Sequence, residues 1–414
     1  MFGRSGSVPQ QHPRDRPLRR FLHDDADLPQ ALDALREVRQ ILVRAEHWRT
    51  EMLPIAGGPL DLLLDPLTAW RAVRGRSNVL QPSGVAGAYR AVLSSHHAAA
   101  VGLHELFTGV AMLRARAETL LTASLVDRLL AMGALAEVDA TVRSQILLVP
   151  HRGDVFVADS LHHQGTTDFC YLGRLSFAGP DLLCDTDWHE TLYRVLDLGC
   201  GAGVGAIIAS RSAEEVVGTD VLPRCIRFGR LNAALNDVTN VTLQVADVMD
   251  GIVGSFDAVI THPPGVWSLT AEGAVAEVGG DDYGLELPAR MIRGALDQLE
   301  VDGTMYAIVL APVIDGIPYA PTALERICDG RPCQVTLHPL LEYYEFSDRL
   351  TYQAHHIGRL VRYLAVIAPD EHFSVRYAAL DRPRWWSSRL RAAPGRAADR
   401  LLRGLSTASR AVRG

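Results

Sequence analysis

Three aspartates stand at the ends of successive apolar runs in the middle of the chain. Asp197 ends the first run, Asp220 the second and Asp247 the third. The carboxyl ends of parallel strands meet at one edge of a sheet, where α/β proteins bind ligands. One aspartate at a strand end is usually a turn or capping residue, but three in succession indicate a binding site.

A glycine-rich turn follows Asp197. Gly199, Gly201 and Gly203 allow the backbone to turn tightly and a ligand to approach closely, since a Cβ would obstruct it. Residues 201–206 also fit a dinucleotide-binding turn, so the glycines alone do not identify the ligand. Asp197 separates the two interpretations, because a carboxylate repels a pyrophosphate and attracts the ammonium of a methionine moiety. The combination favours S-adenosylmethionine as the cofactor.

The two downstream acids suit the rest of that molecule. Asp220 can accept hydrogen bonds from both ribose hydroxyls, a device that NAD enzymes share, and Asp247 suits the adenine amino group. We expect the thiol of Cys200 to pack rather than react. The remaining predicted cofactor contacts lie beside these acids and at the fourth strand end: Cys200, Val221, Val248 and Thr261.

A fourth predicted strand, 256–261, runs into His262, Pro263 and Pro264. With this motif, residues 190–315 resemble the class I S-adenosylmethionine-dependent methyltransferases. They resemble in particular the branch with Asn-Pro-Pro at this strand end, which includes ribosomal-RNA guanine N2-methyltransferases and release-factor glutamine methyltransferases. The resemblance implies a Rossmann-like domain and in-line transfer of a methyl group. It also implies that the acceptor contacts His262, Pro263 and Pro264. Asp281, Asp282 and Tyr283 follow this motif, where substrate often enters in the family; they either contact the acceptor or, with equal weight, belong to a solvated loop.

His262 departs from the branch, which has Asn at this position. In the branch, the Asn oxygen and a backbone carbonyl accept both hydrogens of a planar amine, whereas a neutral histidine accepts through one ring nitrogen only. Histidine adds basicity near neutral pH, so we predict that His262 is the catalytic base that removes a proton from the acceptor. The alternative, of equal weight, is a histidine packed at the strand end to support the proline turn.

The elements that must position these residues alternate from about residue 190. Predicted strands at 194–198, 215–219, 241–245, 256–261 and 304–310 alternate with helices near 203–211, 223–235 and 286–299. This order is typical of a parallel sheet with helices on both faces, and runs at 334–338 and 361–368 would complete it. The predicted fold class is α/β, with a Rossmann-like class I methyltransferase domain after a mostly helical, winged-helix-like N-terminal domain.

The predicted domains are a flexible lead at 1–28, the N-terminal domain at 29–160, the methyltransferase domain at 161–380 and a basic amphipathic tail at 381–414. In the N-terminal domain, a helix at 116–132 precedes two β-rich runs, 144–150 and 154–158, an arrangement like a winged helix. Helix 116–132 carries two Arg against two acids, which is a poor footprint for phosphate contact. We therefore expect a packing or substrate-covering lobe.

Charge is unevenly distributed along the chain. All 41 basic residues are Arg, which excludes Schiff-base chemistry by a lysine. Residues 51–381 carry 23 Arg against 40 acids, for −17, and residues 382–414 carry nine Arg against Asp399, for +8. We expect the tail to dock on an acidic surface of its own or a partner subunit.

The acidic body and His262 favour a small-molecule metabolite as methyl acceptor, by O- or N-methylation. The alternative is a ribosomal RNA N-methyltransferase that uses its basic termini for phosphate contacts. A third interpretation is a catalytically silent protein that retains the cofactor fold.

Other features carry no site. The six cysteines form no CxxC pair, and no set of residues has metal-ligand spacing, so we predict reduced thiols and no metal. No apolar run is long enough to span a membrane, and the first twenty residues lack the apolar stretch of a secretory signal. A cytoplasmic protein is expected.

Overall fold

The structure, a computed structural model, describes residues 20–46, 97–164, 166–186, 191–264, 285–343 and 356–378. Helices of the N-terminal part are α1 (Leu28–Arg44), α2 (Ala98–Phe107), α3 (Arg114–Leu121) and α4 (Ala123–Ala131). Its strands are β1 (Met112–Leu113), β2 (Leu135–Val138), β3 (Thr141–Ser144), β4 (Ile146–His151) and β5 (Asp154–Asp159).

The C-terminal part alternates strands and helices, as the sequence predicts. Its helices are α5 (Ala178–Asp185), α6 (Val204–Ala209), α7 (Pro223–Leu235), α8 (Glu286–Leu296) and α9 (Ala320–Cys328). Its strands are β6 (Leu192–Leu198), β7 (Ala213–Asp220), β8 (Val241–Val245), β9 (Phe256–Thr261), β10 (Leu299–Ile314), β11 (Ile317–Pro318), β12 (Cys333–Tyr343), β13 (Ile357–Pro369) and β14 (Ser374–Tyr377).

The central sheet has the order β14-β12-β13-β10-β9-β6-β7-β8, with β11 paired to β10. Strands β6 to β10 pair in parallel, while β13 runs antiparallel between β10 and β12. The chain winds from β6 outward to β8 and then returns to β9 on the other side of β6. The topological switch point therefore lies between β6 and β9, and ligands bind at the carboxyl ends of strands at such a point.

Helices cover both faces of this sheet, and the N-terminal part adds a further layer. One apolar cluster packs α8 and α9 on one face, and a second packs α5, α6 and α7 on the other. The outer side of α6 and α7 shares a continuous core with α1 to α4 and β4–β5. The predicted boundary at residue 160 falls at the end of β5, but the apolar core extends across it.

Two predictions for the N-terminal part need correction. The helix predicted over 116–132 is two helices, because Thr122 has a φ of 112° and its hydroxyl accepts a hydrogen bond from the Leu125 amide, which caps α4. Residues 20–28 of the predicted flexible lead are ordered. Phe21 and Leu22 are buried in the core, so this segment has more to bury than its charge suggested.

The predicted runs 144–150 and 154–158 pair as an antiparallel hairpin, but a second antiparallel sheet precedes it in the N-terminal part. Its strand order is β1-β3-β2; β1 lies between α2 and α3, and β2 and β3 follow α4. The runs taken for a wing, β4 and β5, form a separate two-stranded sheet in which every residue is buried. A wing reaches into solvent, whereas this hairpin is packed between the N-terminal helices and α7.

Side chains of α7 satisfy the open edge of β5. Asn232 accepts a hydrogen bond from the Val157 amide at 2.8 Å and donates to the Val157 carbonyl at 2.8 Å. Asn236, one helical turn later, makes the same pair of bonds with Val155. The two asparagines thereby take the place of a neighbouring strand, and the buried backbone groups keep their partners.

An ion pair joins the end of β5 to the first turn of α7. Arg224 donates from Nε and Nη2 to the two carboxylate oxygens of Asp159, at 2.8 and 2.5 Å. Both side chains are almost fully buried, at 2 and 1% exposed. The Cys170 amide and Arg20 also donate to Asp159, and the Leu22 carbonyl accepts from Arg224. Such a geometry offsets the cost of withdrawing both charges from water.

We predict that Asp159→Asn lowers the free energy of unfolding by about 3–5 kcal/mol, because Arg224 would remain buried without a compensating charge. Urea denaturation measures the change. Asp297→Asn is the control, since its ion pair with Arg331 is solvent-exposed and should contribute about 0–1 kcal/mol. Equal losses in the two variants would contradict the prediction.

Candidate functional site

Asp197 lies at the switch point, and its side chain is buried. It is 4% exposed, and its Oδ2 accepts a hydrogen bond from the Ala206 amide at 2.7 Å. Burial raises the pKa of Asp197 to about 7; the Ala206 bond lowers it, and the nearby charge of Asp220 raises it further. No cationic side chain among the described residues pairs with this carboxylate.

The glycine turn is shaped around Asp197. Gly203 caps α6 with a φ of 75°, and a Cβ there would lie 3.0 Å from the Cα of Gly229 on α7. A Cβ on Gly205 would come within 2.6 Å of the Asp197 Oδ2. Glycine at 203 and 205 is therefore required for α6 to begin against the carboxylate. Gly199 and Gly201 also have positive φ, as the predicted tight turn requires.

Asp220 organises the other side of the turn. Its two carboxylate oxygens accept hydrogen bonds from the amides of Gly201 and Leu222, each at 2.9 Å. Burial raises its pKa, and these two bonds oppose the rise. Each oxygen retains a further lone pair, which suits the predicted contact with ribose hydroxyls. Val221, the next residue, exposes half of its side chain.

Cys200, also predicted at the cofactor, is buried, and burial raises the pKa of its thiol well above the usual value. A thiol in this state is a poor nucleophile, in agreement with the expectation that it packs. Its amide donates to the Thr219 carbonyl at 2.7 Å, which ties the glycine turn to β7.

Asp247 and Val248 follow β8 at the same edge. Asp247 is half-exposed and accepts from Arg290 of α8 at 2.5 Å. An adenine amino group would therefore share or replace this ion pair. Val248 has a φ of 52°, in the left-handed region, which is uncommon for a β-branched residue.

Thr261 and the residues after it define the end of β9. The Thr261 side chain is fully buried, and its hydroxyl donates to the Leu198 carbonyl at 2.8 Å. This bond holds β9 against β6 at the switch point, so the hydroxyl already has a structural role. Pro263 is buried and Pro264 half-buried. The predicted acceptor residues Asp281, Asp282 and Tyr283 lie outside the described residues.

His262 contacts an arginine that the sequence did not indicate. The Nη1 of Arg362, on β13, lies 3.4 Å from the His262 Nε2. A guanidinium only donates, so Nε2 must accept, and Nδ1 carries the proton of the neutral ring. Burial, and to a smaller degree the Arg362 charge, lowers the pKa of His262 to about 3.

A pKa of about 3 does not fit the near-neutral basicity expected of His262. Burial of the ring is the larger cause. The smaller cause is Arg362, which the long antiparallel strand β13 carries past the carboxyl end of β9, where it pairs with Leu310 of β10. Arg362 follows His262 by one hundred positions in the sequence, and no local motif marks it.

The site fits a cofactor with a cationic end and a ribose. A buried, unpaired carboxylate is strongly stabilised by a cation brought to it, and a pyrophosphate would face two acids. Asp197, Asp220 and the glycine turn would hold this molecule. Among the described residues, no group of three or more His, Cys, Asp or Glu side chains could hold a metal ion. In the same part of the chain, no helix is both long and apolar enough to cross a membrane.

The fold and these carboxylates define a Rossmann-like α/β domain with its ligand site at the switch point. The family model of the methyltransferase small domain matches residues 178–315, one third of the chain. This range contains α5 to α8, the glycine turn and the three acids, so the matched region coincides with the candidate site.

Curated relatives match the same part of the chain. A ribosomal RNA small subunit methyltransferase C from Serratia proteamaculans is 32% identical over 135 residues, covering 32% of this chain and 35% of its own length. A ribosomal protein L11 methyltransferase from Lactobacillus acidophilus is 32% identical over 124 residues, covering 27 and 38%. A protein from Methanocaldococcus jannaschii assigned as a protein N5-glutamine methyltransferase is 34% identical over 71 residues, covering 17 and 36%. The chain thus spans little more than one third of the length of each.

We predict that Arg362→Gln raises the pKa of His262 from about 3 toward, but not to, the usual histidine value, because the guanidinium charge is lost while burial remains. Histidine NMR titration measures the change, and the His262→Gln spectrum assigns the resonance. Arg359→Gln is the control, since Arg359 lies on the opposite face of the same strand. An unchanged titration in Arg362→Gln would refute the contact.

Proposed function

We propose that this chain is an S-adenosylmethionine-dependent methyltransferase. The observation that carries the proposal is the buried Asp197 carboxylate, which lies beside a glycine turn and has no cationic partner among the described residues. The family match over residues 178–315 and the methyltransferase relatives support the same activity.

S-adenosylmethionine supplies an activated methyl group on its sulfonium. The protein's contribution is to align this methyl group with the acceptor and to exclude water. Asp197 would bind the methionine ammonium, Asp220 the ribose hydroxyls and Asp247 the adenine amino group. Val221 and Val248 would flank the adenine as apolar contacts.

RNA is the acceptor we propose, with methylation at nitrogen. The relatives of this chain are named for ribosomal RNA and for protein substrates, which gives no support to the small-molecule acceptor expected from the charge of the body. The tail of residues 382–414, with nine Arg against one acid, provides charge suited to RNA phosphates. The net negative charge of residues 51–381 favoured a small-molecule acceptor over RNA. Part of that charge comes from Asp197, Asp220 and Asp247, which would face the cofactor rather than the acceptor.

His262 would act in this mechanism through its position. With a pKa of about 3, the ring stays neutral throughout the physiological range and is a weak proton acceptor. Its Nε2 accepts from Arg362, and its Nδ1–H is a donor at the strand end. A base nitrogen that is already a neutral nucleophile needs no base before transfer, and its proton can leave to water afterwards.

We predict that the affinity for S-adenosylmethionine rises with pH through about 7 in the wild-type protein. Below this pH Asp197 is largely protonated, and the ionised form must be restored to bind a cation. Asp197→Asn should weaken binding roughly ten- to a hundredfold, as expected for a lost charge-assisted hydrogen bond. It should also remove the part of the pH dependence that belongs to Asp197. Calorimetry at pH 6, 7 and 8 measures both effects.

Subtracting the profile of the variant from that of the wild type removes the titration of the ligand's own ammonium. Asp257→Asn is the matched control, because Asp257 belongs to the same sheet but lies near the amino end of β9, where it accepts from the Arg194 amide. If Asp197→Asn bound the cofactor like the wild type, Asp197 would not face the ammonium.

The acceptor is tested by incubating the protein with methyl-labelled S-adenosylmethionine and separate pools of ribosomal RNA, ribosomal proteins and small metabolites. We expect label in RNA. We also expect RNA binding to weaken steeply with salt and this dependence to flatten on deletion of 382–414. Label confined to protein or to small molecules would overturn the RNA assignment and leave the cofactor assignment intact.

A further inference from the structure

The side-chain amide of Asn232 makes one hydrogen bond in addition to those with β5. Its Nδ2 donates to the Val157 carbonyl and also, at 2.8 Å, to the carbonyl of Ala202 in the glycine turn. A single buried side chain therefore bridges the N-terminal part and the loop around the candidate cofactor site. Asn232 itself is fully buried, so no water competes for these bonds.

The Ala202 carbonyl depends on this donor. Gly203 is the cap of α6, and its own carbonyl accepts the first helical hydrogen bond, from Ile207. Ala202 precedes the cap, so the helix provides no amide for its carbonyl. Asn232 fixes the plane of the peptide between Ala202 and Gly203, whose amide on the other side donates to the Cys200 carbonyl at 2.8 Å.

That peptide lies between the two carboxylates of the site. Gly201, on one side, donates to Asp220, and Ala206, on the other, donates to Asp197. A rotation of the Ala202–Gly203 peptide would shift both amides relative to their acids. The turn has three glycines with positive φ, so its own backbone offers little resistance to such a rotation.

We infer that Asn232 is a positioning residue for the cofactor site, which holds the glycine turn in its binding conformation while it is itself held by β5. The identity of the ligand in this inference rests on the proposed function. The effect of Asn232 on the conformation of the glycine turn does not depend on it. The residue does not touch the ligand; it acts through the Ala202 carbonyl. By linkage, cofactor binding and the docking of β5 on α7 should stabilise each other.

Asn236 provides a matched control within the same helix. It is also buried, accepts from one amide of β5 and donates to that residue's carbonyl. Its remaining donor bond goes to the Asn232 backbone carbonyl, at 2.9 Å, rather than to the glycine turn. Replacement at 232 and at 236 should therefore cost similar stability, and only replacement at 232 should release the turn.

The first test is amide hydrogen exchange in the full-length protein without cofactor. We expect Asn232→Ala to speed exchange of the amides of residues 201–206 by about tenfold or more relative to Asn236→Ala. Exchange should rise at the Val157 amide in Asn232→Ala and at the Val155 amide in Asn236→Ala. Equal exchange of residues 201–206 in the two variants would overturn the inference.

The second test is the dissociation constant for S-adenosylmethionine, measured by calorimetry. We expect a loss of about tenfold in Asn232→Ala and less than threefold in Asn236→Ala. If either alanine variant fails to fold, Asn232→Leu and Asn236→Leu replace them, since leucine keeps about the size and removes the donor without burying a charge. If the wild-type protein does not bind S-adenosylmethionine, the proposed function fails, and the exchange experiment still decides the role of Asn232.

Discussion

Burying an ionised carboxylate costs free energy unless a positive charge pairs with it. The structure around Asp197 depends on that constraint. Asp197 ends the central strand of the winding, receives one amide from α6 and stays close to half-protonated near neutral pH in the absence of a cation. Glycine at position 205 is required because any side chain there would occupy the space of the carboxylate. The first residues of α6 are therefore shaped by this acid, through the glycine at 205 and the amide of Ala206.

The N-terminal part stabilises the site by packing on two of the helices that form it. It covers the outer face of α6 and α7, and its contacts with them include Asp159–Arg224 and the two asparagine bridges. The helices that follow the glycine turn and Asp220 are the same helices that this layer covers. The N-terminal part is therefore a structural layer of the site, which agrees with the expectation of a packing lobe.

Much of the architecture is predictable because it has local causes. The strands β6 to β9 and helix α7 lie where apolar periodicity and the terminal acids indicate, and the glycine spacing identifies the turn. Arg362 and the bonds of Asn232 could not be predicted, because each depends on which distant strands become neighbours. The break between α3 and α4 within 116–132 was not predictable for another reason. The apolar periodicity continues across Thr122, so the sequence pattern does not show that this one residue has a positive φ. The low pKa of His262 could not be predicted either, because it comes mainly from burial of the ring in the tertiary structure and to a smaller degree from Arg362.

The bridging of β5 by side chains has a consequence for the order in which the chain folds. The asparagines that close this edge follow their partners by 75 and 81 residues. During synthesis the hairpin leaves the ribosome first and has an unpaired edge until α7 emerges, and such an edge is a template for pairing with other chains. A C-terminal part made without the hairpin would instead expose the apolar outer face of α6 and α7, together with asparagine amides that have lost their partners. The two parts must therefore mature as one cooperative unit, although the chain reads as two domains in sequence.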